Sequence, residues 1–76
     1  FNPITTIKYD LPTKGGITIQ IFNLNGQEID QFSGKDLNPG RHSFSWDASD
    51  YSSGIYFYKI FFNNILYVNK RMVYIK

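Results

Sequence analysis

Apolar and polar residues alternate with a period of two along almost the whole chain, and no stretch carries a helical stripe. The first run covers residues 4–10, with Ile7 and Tyr9 on the face of Thr5, and Thr6 and Lys8 on the other. Leu11-Pro12 closes it, because proline cannot donate to a strand ladder. Thr13-Lys14-Gly15-Gly16 then reads as a turn, its glycines free to take positive φ. The second run, 17–24, sends Ile17, Ile19 and Ile21 one way and Thr18, Gln20 and Phe22 the other. Asn25-Gly26 follows at once and predicts a type I′ hairpin, since both residue types tolerate positive φ. The third strand then spans 27–32 with Ile29 facing inward, and its polar character places it at a sheet edge.

Residues 33–40 read as a loop, punctuated by Asn38-Pro39-Gly40. Alternation resumes over 41–47, with His42, Phe44 and Trp46 on one face, before a polar loop over 47–54. In the β-prone run 55–62, Lys59 belongs in water, so Tyr56, Tyr58 and Ile60 on the opposite face point inward. Asn63-Asn64 offers a tight turn, and 65–76 is the last strand, with a break expected near Asn69. Short strands separated by turn signals predict an all-β domain, a two-sheet antiparallel immunoglobulin-like β-sandwich of about seven strands. Its expected core is Ile19, Ile21, Ile29, Phe44, Trp46, Tyr56, Tyr58 and Ile60. The expected domain is 1–76, and an opening at Phe1 without an initiator Met reads as a fragment, the tail end of a longer protein.

Composition sharpens this picture. A chain of 76 residues without cysteine has no disulfide or thiolate site to reinforce it, and domains of this size bury only about 60% of their unfolded surface. The aromatic content of 18% supplies bulky side chains that make a thin sandwich cohesive. A formal charge of +2 is too small to imply nucleic acid or a membrane surface. No apolar run approaches the ~20 residues needed to span a bilayer, and Phe1 begins no signal peptide.

The candidate chemistry is sparse. His42, the only histidine, reads as a half-buried structural imidazole, because a catalytic one needs a nucleophile or an orienting partner. Asp47, Ser49, Asp50 and Ser52 form an oxygen-rich loop that suggests a cation, but turn chemistry accounts for the same residues. Tyr51, Phe57, Phe61 and Tyr67 read as exposed rings that suit sugar stacking, or else as rings that fill a core or an interdomain contact. No catalytic triad, phosphate loop or carboxylate pair emerges, so no enzyme activity and no cofactor are expected. The C-terminal run Lys70-Arg71-Met72-Val73-Tyr74-Ile75-Lys76 is a β-prone strand with charged ends, a form that a receptor can read by edge pairing and charge.

The ordered set of motifs resembles the type A C-terminal sorting domain of type IX (Por) secretion substrates, a family related to the immunoglobulin-like domain of flagellar hook-capping proteins. Its opening Asn-Pro-Phe-Asn-Pro and Thr-Thr-Ile-Arg-Tyr-Asp-Leu-Pro are matched by Phe1-Asn2-Pro3 and Thr5-Thr6-Ile7-Lys8-Tyr9-Asp10-Leu11-Pro12. Asn23-Leu24-Asn25-Gly26-Gln27-Glu28-Ile29 matches its first hairpin, and Pro39, Gly40, His42, Trp46 and Asp47 match its Pro-Gly-x-His and Trp-Asp. Ser53-Gly54-Ile55-Tyr56-Phe57-Tyr58-Lys59 and the run from Lys70 to Lys76 complete the series. The loop between Trp46-Asp47 and Ser53-Gly54 is shorter than is common in that family. The resemblance implies a non-catalytic signal that carries a larger exported protein through the periplasm to the cell surface or beyond. It implies as partners an outer-membrane translocon, a sortase-like peptidase that cuts upstream, and the cargo domain of the same chain. Lys70, Arg71, Met72, Val73, Tyr74, Ile75 and Lys76 are the implied sorting residues, and Gly26, Pro39, Gly40, Trp46, Asp47, Gly54 and Tyr56 the structural ones. A rival reading is an immunoglobulin-like spacer or a carbohydrate-binding appendage of a secreted hydrolase.

Overall fold

The computed structural model describes residues 3–75, so readings that fall on Phe1, Asn2 and Lys76 lie outside the described residues. Within them the chain forms six strands: β1 (Ile4–Leu11), β2 (Gly15–Phe22), β3 (Glu28–Leu37), β4 (Gly40–Asp47), β5 (Gly54–Phe62) and β6 (Ile65–Tyr74). Every pairing is antiparallel. β1 and β4 make a two-stranded sheet, and the other four order as β3-β2-β5-β6. The polar third strand therefore does lie at an edge, and the last strand forms the opposite edge of the same sheet.

The alternation decides which side chains fill the space between the sheets. Ile7, Tyr9 and Leu11 of β1 and Trp46 of β4 meet Ile17, Ile19 and Ile21 of β2, Tyr56 and Ile60 of β5, and Met72 and Tyr74 of β6. Each large apolar side chain so withdrawn from water contributes roughly 1.5–3 kcal/mol. All eight residues expected in the core join this cluster, although Ile29, Phe44 and Tyr58 are only partly buried. A ring chain runs through it, with Trp46 5.5 Å from Tyr56 and Tyr56 6.5 Å from Tyr74. Trp46 also ties the two sheets together: its Nε1–H donates to Asp30 Oδ2 of β3 over 3.0 Å.

Four local expectations need correction, the first being that Gly15 and Gly16 are not turn residues at positive φ but the first two residues of β2. Gly26 has φ +81°, but Asn25 keeps a negative φ, so the hairpin is not type I′. Asn23 and Gln27 close a longer loop instead, through Asn23 N–H donating to the Gln27 carbonyl at 3.0 Å. The Asn23 side chain holds that loop: its Oδ1 accepts the N–H groups of Asn25 and Gln27, each at 3.0 Å. Residues 33–37 are not loop but a continuation of β3. Register shifts near both ends of the β2–β3 ladder, together with Asp36 at φ +54°, let this polar run stay paired. The last strand is unbroken at Asn69; its irregularity is a shift after Ile60↔Val68 that leaves Tyr67 as the extra residue. With the last strand unbroken, the described residues form six strands in all. The Asn63-Asn64 turn stands as read, both residues lying in the left-handed region at φ +50° and +67°.

Candidate recognition surface

β6 carries most of the implied sorting residues, and strand geometry divides them by direction. Met72 and Tyr74 face inward and are 9% and 2% exposed, so they hold the strand in the core. Val73 and Ile75 are 46% and 66% exposed. Lys70 pairs with Tyr58, on the inward register but at the sheet edge where it stays exposed; Arg71 pairs with Phe57 and is exposed on the outer face. Lys76 lies outside the described residues. At the start of the strand Ile65, Leu66 and Tyr67 are also exposed, so among the described residues five of the seven exposed large hydrophobic residues fall between 65 and 75. The Tyr67 hydroxyl donates to the Asp10 carbonyl at 2.9 Å and so ties this first part of β6 to β1.

The other motif residues build the frame. Gly26 supplies the left-handed position of the first hairpin. Pro39 and Gly40, the latter at φ +115°, turn the chain into β4, and Gly54 opens β5. Asp47 accepts the Ser49 N–H at 2.9 Å, and this hydrogen bond holds its carboxyl below the usual carboxylate range. The Tyr56 hydroxyl donates to the Ser52 carbonyl. Sequence reasoning passed over Asp30 and Asn23. The first carried no signal, because alternation with Ile29 facing inward places Asp30 on the outer face, and only the shift at this end of the β2–β3 ladder sets it opposite Ile21.

The other candidate chemistry resolves into structure. The His42 Nε2–H donates to the Asn38 carbonyl at 2.7 Å while the ring stacks on Tyr9 with centroids 5.6 Å apart. A shallow depression of about 500 Å³ is lined by Lys8, Tyr9, Asp10, Arg41, His42 and Ser43 on the two-stranded sheet. It holds no nucleophile activated by a base. No group of three metal-ligating side chains occurs among the described residues. The four aromatic residues considered for sugar stacking do not share a platform. Tyr51 packs against Trp46 at 5.6 Å with its hydroxyl donating to the Ile29 carbonyl. Phe57 and Phe61 share the non-core register of β5 with Lys59, whereas Tyr67 packs against Phe62 at 6.0 Å.

No curated protein and no solved structure matches the chain. The family model described as the secretion system C-terminal sorting domain matches residues 2–75. The match runs from the first strand through the edge strand that carries the cations. The chain therefore belongs to the family of secretion-system C-terminal sorting domains, the sorting signals of type IX secretion.

Proposed function

We propose that the domain works as an address read at its last strand, with Lys70, Arg71, Val73, Ile75 and Lys76 offered to the outer-membrane translocon and Met72 and Tyr74 fixing the strand. The cargo crosses the periplasm ahead of the domain in the same chain, and a sortase-like peptidase then removes the domain by cutting upstream. In this reading the domain is the substrate of that peptidase and does no chemistry itself.

One observation supports the choice of strand. β6 is an outer strand of the larger sheet, and exposed apolar side chains and two adjacent cations concentrate there, whereas the exposed residues of β4 are Gly40, Arg41, Ser43, Ser45 and Asp47. Monomeric domains seldom gather exposed apolar residues without an interaction to use them. The sugar-binding alternative loses ground because its four rings are dispersed.

The test fuses the domain to the C-terminus of a periplasmic reporter and measures surface labelling in a bacterium with type IX machinery. Labelling is expected with the domain and not without it, and should vanish in a strain lacking the translocon. Reporter retained in the periplasm despite an intact, folded domain would remove the proposal.

A further inference from the structure

The two edges of the larger sheet are finished differently. β3 is bulged near both ends, and its turns of register spoil it as a template for a further strand. β6 has a single bulge, at Tyr67, and beyond it residues 68–72 pair with β5 in unbroken register. No other strand among the described residues pairs with their outer edge. The first part of β6 is engaged elsewhere, since the Tyr67 hydroxyl is bound to β1. The regular stretch that remains carries Lys70 and Arg71 at consecutive positions, and therefore on opposite faces of the sheet.

We infer that residues 68–72 accept an added β-strand from a partner, and that this strand carries carboxylates at two consecutive positions, one on each face. The inference rests on the reading of β6 as the recognised element and names the chemistry of its partner. An added strand satisfies the outward backbone groups of the edge, while its side chains on either face meet those of β6. Opposite Lys70 on one face and Arg71 on the other, only acidic side chains relieve both cations at once. The same geometry argues against a second copy as the occupant. Antiparallel pairing of two β6 edges centred on Lys70 or on Arg71 sets that cation against its own copy, and like charges directly opposed are destabilising. The bulge at Tyr67 sets the limit of the added strand on one side.

The test uses the isotope-labelled domain and two synthetic blocked peptides, Thr-Val-Glu-Asp-Val-Thr-Val and the same peptide with both acids replaced by lysine. The acidic peptide should bind, shift the resonances of 68–72, and slow amide exchange at alternate residues of that stretch. The lysine peptide should bind about tenfold more weakly or less, in keeping with two exposed ion pairs. Lys70→Glu with Arg71→Glu should reverse that order, and Arg71→Glu alone should lessen it if the double variant does not fold. Equal binding of the two peptides, protection that maps to β1, β3 or β4, or no binding of the acidic peptide would overturn the inference. This assay contains no export step, so its failure is distinct from failure of the fused reporter to reach the surface, which would instead remove the address reading.

Discussion

Gly26 stands at φ +81° with nothing within 4 Å of the position a Cβ would take, so a side chain there meets strain in the backbone and not a clash. Gly26→Val should lower the unfolding free energy by roughly 1–2 kcal/mol through that conformation alone. An unchanged denaturant midpoint would contradict it. The tyrosines give a second residue-scale prediction. Burial raises the phenols of Tyr9 and Tyr58, and burial with the nearby carboxylates of Asp30 and Asp50 raises that of Tyr51. A raised folded value means that the native state holds these protons more tightly than the unfolded chain. Their contribution is therefore complete below the unfolded value of about 10 and is lost as pH rises through the folded values. Melting temperature should fall above about pH 10, and Tyr58→Phe should make that fall shallower. A melting temperature flat through the alkaline range would contradict the assignment. The inward residues were largely legible at this scale, because burial follows alternation and Lys59 fixed the phase of β5. Asp30 was not, since nothing local in the sequence says that an edge carboxylate meets a tryptophan sixteen positions later.

At the scale of elements, the two hairpins show what a dipeptide does and does not reveal. Asn63-Asn64 adopts the left-handed pair of a two-residue turn, and the Asn63 carboxamide also accepts the Gly16 N–H at 3.0 Å. Asn25-Gly26 looked the stronger signal, yet its loop is organised by the residue two places before, Asn23, whose side chain takes two backbone donors. The competing signal was thus side-chain hydrogen bonding to the local backbone, which dipeptide preference ignores. Asn23→Ala should cost about 1–2 kcal/mol, because it removes those two hydrogen bonds and the exposed one that Nδ2 donates to Gln27 Oε1 at 2.9 Å. Asn25→Ala, an exposed residue with negative φ, should change stability by about 0.5 kcal/mol or less. Paired denaturation curves would decide, and the opposite order would restore the type I′ hairpin. The end of β3 was illegible for a related reason. Ser33, Gly34, Lys35 and Asp36 have loop composition, and only the bulge that Asp36 permits keeps them in the sheet.

For the whole molecule, two unequal sheets share one core, and the strand completing the larger sheet is also the part of the chain richest in exposed apolar groups. The two-sheet plan followed from alternation and turn signals alone. The sorting role was legible only from the order of its motifs, because no residue carries chemistry that composition or spacing would announce. The split within β6 needed the structure: Met72 and Tyr74 belong to the core, whereas Lys70 and Arg71 belong to the surface. That split separates folding from recognition and makes the central claim testable. As a member of its family the domain directs export towards the cell surface or the extracellular space. The most direct measurement is surface export of a reporter fused to the domain with Lys70→Gln, Arg71→Gln and Lys76→Gln together, beside its melting curve. Lys70 and Arg71 are exposed, and exposed charges add little to stability, so the variant should unfold within about 1 kcal/mol of the parent. Its export should nevertheless fall well below that of the intact domain. Full export of the folded variant would contradict the account, because the cations of the last strand would then not be what the machinery reads.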